Sequence, residues 1–277
     1  MTEMLTVDGG TIAYEISGSG PLVVLAQGMG DTRAAYRFVV PRLVAAGYRV
    51  VATDIRGTGE SSARWPSYTR ADIAGDLIAL IRHLGGPAVL VGHSISGGAA
   101  TIAAARAPEL ISGIVELAPF TRKQSIALGD LRVKRFRIGM TRLLLTGILG
   151  SVSWWHRYLD IAVPGRRPAD WDEQLRGMAG MLADPDRMGA MRAMGKSTPA
   201  DAGARLGDVR VPALIIEGSL DPDWADPRAE GEAIVAAMPA GIGTVEVIEG
   251  AGHYPHTQFP EETVELLLPF LKAHAGA

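Results

Sequence analysis

Ser94 stands in the run Gly92-His93-Ser94-Ile95-Ser96-Gly97-Gly98, between a β-branched apolar stretch and an alanine-rich one. A serine hydroxyl is a weak nucleophile at neutral pH. It becomes effective when it projects from a tight turn beside a base that takes its proton. Small residues two positions to either side give a strand-to-helix turn the room it needs. The free N–H groups at the start of the following helix also favour a developing oxyanion. Ser94 could instead be a plain helix cap in a glycine-rich turn, but the order strand, turn, helix favours the nucleophile.

The chain has six histidines, which makes elimination practical in the search for a base. His93 adjoins the serine and its side chain should diverge from it. His83 lies on a predicted helix, His156 in a long helical stretch and His274 in the C-terminal tail. His253 and His256 remain, both after the last predicted strand. His253 is favoured because the flexible run Gly250-Ala251-Gly252 can deliver its side chain from a strand end, and His256 reads as a loop residue. A third group should orient the imidazole and stabilise its charged form. Asp221, in Glu217-Gly218-Ser219-Leu220-Asp221-Pro222 just after a predicted strand, is the candidate, with Asp223 in reserve and Asp226 close by.

The elements that would position these groups alternate along the chain. Residues 4–16 read as two β-runs joined at Asp8-Gly9-Gly10, a hairpin signal. Short apolar strands follow at 21–26, 48–53, 87–91 and 111–117, separated by helical periods at 34–46, 69–84 and 97–106. Strands alternating with helices imply parallel βαβ units and an α/β sheet covered on both faces. The rhythm breaks after Pro119. From 120 to 206 apolar residues follow helical periods alone, and the β-signal returns at 211–216 and 244–248 around a helix at 229–237, before a final helix at 260–274. The chain therefore divides into a core of residues 1–119 and 207–277 and a helical insertion of residues 120–206, a candidate lid over the strand ends.

Taken together, these motifs resemble the α/β-hydrolase superfamily, of the serine-esterase type with a helical cap. The family's elbow is Gly-x-Ser-x-Gly after a strand; here Ser96 replaces the final glycine. Gly250-Ala251-Gly252-His253 is similar to the family's histidine segment, the loop at Asp221 to its acid turn, and Asp54-Ile55-Arg56-Gly57-Thr58-Gly59-Glu60-Ser61 to a structural loop usually written Asp-x-Arg-Gly-x-Gly-x-Ser. The chain order Ser, Asp, His is that of the family. The resemblance implies a mostly parallel eight-stranded sheet with helices on both faces and a cap after the sixth strand. It implies a triad of Ser94, Asp221 and His253, and an oxyanion hole from the backbone N–H groups of Ile95 and Met29. In the latter's loop, Gln27-Gly28 replaces the family's His-Gly. The reaction implied is cleavage of a small, largely apolar carboxylic ester. A lactonase, a C–C bond hydrolase with the same triad, or a non-catalytic ligand receptor on the same fold are the alternatives. A serine nucleophile counts against epoxide hydrolases and haloalkane dehalogenases, which use aspartate there.

Composition narrows the field. A formal net charge of -3 over 277 residues lacks the excess of Lys and Arg that a nucleic-acid surface needs. The absence of cysteine excludes disulfides, thiolate metal sites and a Cys nucleophile. No metal-ligand spacing is found and no cofactor is implied; the glycine-rich loop at 54–61 contains no lysine and is not a P-loop. The most apolar long stretch, residues 138–155, carries Arg142 and three glycines and falls short of a membrane span. With no signal-peptide pattern, a soluble cytoplasmic protein is the expectation. The expected partner is a small-molecule ester or lactone, and the chain is compatible with a homodimer. Trp154 and Trp155 in the insertion are the candidate substrate-binding residues. The basic run Arg132, Lys134, Arg135, Arg137 and Arg142 reads as a solvated helix face.

Overall fold

The computed structural model describes residues 1–276. Strands β1 (Glu3–Val7) and β2 (Gly10–Ser17) form the N-terminal hairpin, and Gly9 takes the positive φ of 90° that its turn requires. Then come β3 (Leu22–Ala26), α1 (Val39–Ala45), β4 (Arg49–Thr53), α2 (Arg70–His83), β5 (Ala88–His93), α3 (Ile95–Arg106) and β6 (Ile111–Leu117). Between the sixth and seventh strands run α4 (Lys134–Leu149), α5 (Val152–Ala162), α6 (Trp171–Leu182), α7 (Pro185–Lys196) and the short α8 (Ala200–Gly203). The chain closes with β7 (Ala213–Gly218), α9 (Pro227–Ala236), β8 (Gly243–Ile248), the short α10 (Pro255–Gln258) and α11 (Pro260–His274).

The eight strands form one sheet in the order β1-β2-β4-β3-β5-β6-β7-β8. β1 and β2 are antiparallel to their neighbours, and from β4 to β8 every pairing is parallel. The central strands β3 and β5 are buried along their whole length, which is why they read as unbroken apolar runs. Their side chains still alternate. Val24, Ala26 and Leu90 join Ile73, Leu77, Leu80 and Ile102 of α2 and α3 on one face. Val23, Leu25, Val89 and Val91 join Val39, Leu43, Leu267 and Leu271 of α1 and α11 on the other. A third cluster, built on Trp155, Tyr158, Trp171, Met178 and Met191, fills the helical stretch and takes in Tyr254 from the loop before α10. Among the described residues no helix is long and apolar enough to cross a membrane.

Two boundaries depart from the sequence reading for one reason. The single helix expected at 34–46 is a 3-10 turn at Arg33–Tyr36 followed by α1. Pro41 has no N–H to donate to the carbonyl of residue 37, so a helix begun at 34 loses that bond, whereas Pro41 fits the first turn of a helix that starts at Val39. Likewise the strand expected to start at 211 begins only after Pro212, whose carbonyl instead accepts from the Ile114 amide.

Candidate active site

Ser94 occupies the one-residue joint between β5 and α3 with φ 54° and ψ -117°, a strained conformation for a residue with a Cβ. Its backbone is held on both sides: its amide donates to Leu117 O at 3.0 Å, and its carbonyl accepts from Gly97 N and Phe120 N, each at 3.0 Å. Gly92 is required because a Cβ there would overlap the Ser96 carbonyl. As the first residue of α3, Ile95 has an amide that the helix itself leaves without a partner.

His253 follows β8 in the stretch the sequence reading chose. Its amide donates to Ala162 O at 2.8 Å, and a Cβ on the preceding Gly252 would overlap that same carbonyl. His253 Nδ1 is 2.8 Å from Asp221 Oδ2 and 3.5 Å from Asp223 Oδ2. Asp221 also accepts from the Asp223 amide at 2.8 Å, and Asp223 takes the Tyr158 hydroxyl at 2.9 Å from each carboxylate oxygen. Burial alone would favour the neutral imidazole, but the Asp221 and Asp223 carboxylates outweigh it and raise the His253 pKa. Burial raises the Asp223 carboxyl well above the usual carboxylate range. These three side chains lie close enough to surround a cation. Their mutual hydrogen bonds already account for the arrangement without one.

His93 and His256 lie beneath this group. His93 Nε2 is 2.8 Å from the His253 carbonyl and fixes the backbone that carries the imidazole. It lines the same cavity as Ser94. His256 belongs to the short helix α10, correcting the reading of it as a loop residue. Its ring is fully buried and stacks on Tyr36 with centroids 4.9 Å apart. Burial depresses both imidazoles, that of His256 to about 3.

Ser94, His253, Ile95 and Met29 all line one cavity of about 590 Å³. Its walls are mainly apolar, with Phe120, Met140, Leu143 and Ile148 among them. Of the two expected tryptophans only Trp155 faces it. Trp155 is buried and stacks on Tyr158. Trp154 is not among the lining residues; one helical step carries it to the outer side, where the Arg157 guanidinium lies over its ring. Of the basic run at 132–142, none lines the cavity. Arg135 instead donates to the carbonyls of Asp221, Trp224 and Ala225, tying α4 to the acid loop.

Residues 23–266 match the family described as "Alpha/beta hydrolase family". The chain belongs to the alpha/beta hydrolase family. The 2-(acetamidomethylene)succinate hydrolase of Mesorhizobium japonicum is 28% identical over 286 residues, covering 96% of this chain and 94% of that protein. Epoxide hydrolase B of Mycobacterium tuberculosis is 32% identical over 192 residues, 68% of this chain and 52% of its own length. Among solved structures, an esterase from Exiguobacterium antarcticum superposes with a TM-score of 0.80 at 21% identity, over 98% of this chain and all of that one. A likeness at that identity speaks for the fold alone.

Within the alpha/beta hydrolase pattern, the two departures noted in the sequence have physical accounts. Ser96, in place of glycine, donates its hydroxyl to the Gln27 carbonyl at 2.6 Å and joins the elbow to the loop that carries Met29. Gln27, in place of histidine, is fully buried; in either orientation of its amide it meets Thr58 Oγ1 at 2.8 Å. The Asp54 loop, read from the sequence as structural, is a buried polar network: Asp54 is fully buried, paired with Arg33, and accepts from the Arg33 and Glu60 amides at 2.7 and 2.8 Å. The three Arg and Lys residues of the cavity, Arg70, Arg192 and Lys196, escaped the sequence reading. For Arg70 a signal existed. It lies three, seven and ten residues before Ile73, Leu77 and Leu80, so a charge interrupts the apolar stripe of α2.

Proposed function

We propose that this protein is a serine hydrolase that cleaves a carboxylic ester of a small, largely apolar substrate through an acyl-enzyme on Ser94. The observation that carries the reading is that a serine on a left-handed strand-to-helix joint and an imidazole whose Nδ1 is held by Asp221 open on one cavity. With Nδ1 engaged, Nε2 is the nitrogen that takes the Ser94 proton as Oγ attacks the ester carbonyl. The backbone amides of Met29 and Ile95 receive the oxyanion. Collapse breaks the carbon–oxygen bond to the alcohol, which leaves with the proton held on Nε2. Water then repeats the sequence: His253 accepts its proton, its oxygen attacks the acyl carbon, and Ser94 is released with the acid product. The mechanism uses no cofactor. Residues 120–206 act as a cap that excludes water from this chemistry, over a core of residues 1–119 and 207–277.

Fluorophosphonate labelling followed by peptide mapping tests the assignment. The expected result is a single adduct on Ser94, absent in Ser94→Ala together with ester turnover. Labelling at another serine, or equal turnover in the variant, refutes it.

A further inference from the structure

Among the described residues only two arginines are buried, Arg56 at 7% exposure and Arg70 at 4%. Arg56 shows how this fold treats a buried guanidinium: Asp76 accepts from Nε at 2.7 Å and from Nη2 at 2.8 Å. Arg70 has no such partner. Its Nε donates to Phe120 O at 2.8 Å, and its Nη1 donates to Ser197 Oγ at 3.1 Å and Ser197 O at 3.3 Å. Nη2 donates to no protein acceptor, and no carboxylate lies within salt-bridge distance, among the described residues. The acid whose charge acts on it is Asp201 of α8, half-buried and engaged with the Ala202 amide. Burial without a counter-ion lowers the Arg70 pKa to about 10, so the site favours the arrival of an anion.

The place of this charge is equally specific. Arg70 lines the same cavity as Ser94. It lies against Gly98, where a Cβ would come within 2.8 Å of its Cδ, and Gly98 is one helical turn beyond Ser94 on α3. About 6 Å of helix rise separates the two positions. Arg192 and Lys196 line the cavity too, and the only carboxylate among its lining residues, Asp223, is taken by Tyr158 beside His253. The cavity thus carries three cationic side chains, and its one carboxylate is already engaged.

We propose that Arg70, with Lys196 as a second cation, binds a carboxylate on the substrate, so that the preferred esters carry a free carboxylate at the far end of the acyl chain. This rests on the reading of Ser94 as nucleophile, and the test separates the two. One arm compares kcat/KM for the 4-nitrophenyl half-ester of adipic acid with that for 4-nitrophenyl hexanoate, of equal chain length. The other arm titrates adipate into the resting protein by calorimetry, which requires no turnover. Wild type should favour the anionic ester about tenfold or more. Arg70→Met should lower that ratio about 10- to 100-fold, mainly through KM, as expected for one lost charge-assisted hydrogen bond. Arg70→Lys should recover part of it, and Lys196→Met, at an exposed position, should lower it by about threefold.

Adipate should bind wild type and Ser94→Ala alike, and bind Arg70→Met more weakly. Because Arg70 also joins Phe120 to Ser197, a merely structural role would slow both esters together and leave the ratio unchanged; that result overturns the proposal. A wild-type protein that neither binds adipate nor prefers the anionic ester overturns it without any variant. Turnover that survives Ser94→Ala while adipate binding still depends on Arg70 would instead remove the nucleophile and leave the anion site standing.

Discussion

Two carboxylates approach one imidazole, and replacing each by its amide separates their roles. In Asp221→Asn the side-chain oxygen remains bound by the Asp223 amide, as Oδ1 is now at 2.8 Å. The new NH2 then faces His253 Nδ1, where Asp221 Oδ2 lies at 2.8 Å. A donor there forces the ring proton onto Nε2, the nitrogen that must be bare to accept from Ser94. The loss expected is about 10⁴-fold in kcat, as in the serine-protease case with the same substitution, or about 5.4 kcal/mol of transition-state stabilisation. Asp223→Asn is milder. Its oxygen is 3.5 Å from Nδ1 and acts through charge. An opposite charge at such range moves a pKa by about one to three units. The lower end applies because burial keeps the Asp223 carboxyl partly protonated.

The assay is the pH profile of kcat/KM on a neutral 4-nitrophenyl ester. A raised folded pKa means that wild-type His253 is protonated, and the enzyme idle, until the pH rises past that value. The acid limb should therefore lie above the ordinary imidazole pKa of about 6.5. Removing the Asp223 charge should shift the limb about one unit down and leave the alkaline plateau within about tenfold of wild type. A 10⁴-fold loss in Asp223→Asn with Asp221→Asn nearly intact would reverse the assignment of the acid. A limb that moves upward would refute the electrostatic argument.

Stability offers two further tests. His256 has its pKa depressed to about 3 in the folded state, against about 6.5 unfolded, so only the unfolded chain gains its proton as the pH falls between them. Its contribution is present above 6.5 and is lost toward acid at about 1.36 kcal/mol per pH unit. His256→Phe, which keeps the stack on Tyr36, should recover about 2 kcal/mol of the stability lost between about pH 7 and about pH 5 in urea titrations. His93 leaves a residual slope of the same sign, and an unchanged total slope would contradict the account. Arg56→Met should cost about 3–5 kcal/mol by stranding the Asp76 carboxylate, and Asp76→Leu added to it should restore most of the loss. If the double variant is no more stable than the single, the pair is not the cause.

The sheet was legible because its strands carry their information locally. The run 22–26 is apolar throughout because both faces of β3 are covered, and the final helix at 260–274 has both the proline start and the period that define it. The candidate nucleophile and base could be singled out because each follows a strand in a glycine-rich joint, a pattern imposed by backbone crowding at Gly92 and Gly252. The cavity wall was less legible. Trp154 and Trp155 are chemically equivalent in a sequence, and only the rotation of α5 decides which one turns inward. The sequence favours Asp221 over Asp223 as the partner of His253, and the distances to Nδ1, 2.8 and 3.5 Å, run in that order. What spacing does not show is that Asp223 is occupied by the Tyr158 hydroxyl, which belongs to a helix more than sixty residues earlier in the chain. Arg192 and Lys196 gave no local sign at all, since a cation on α7 looks like any solvated residue until the helix is laid over the sheet.

The stretch between β6 and β7 reaches into the proposed catalytic machinery at several points. Arg135 grips the carbonyl of Asp221, Gln124 that of Asp223, Tyr158 the Asp223 carboxylate, and Ala162 the amide of His253. Transplanting this stretch from a relative to broaden the substrate range would consequently retune proton transfer as well as pocket shape. A chimera that kept the four anchors and exchanged only the apolar wall at Leu143, Ile148 and Met191 would leave the acid and the imidazole on their native supports.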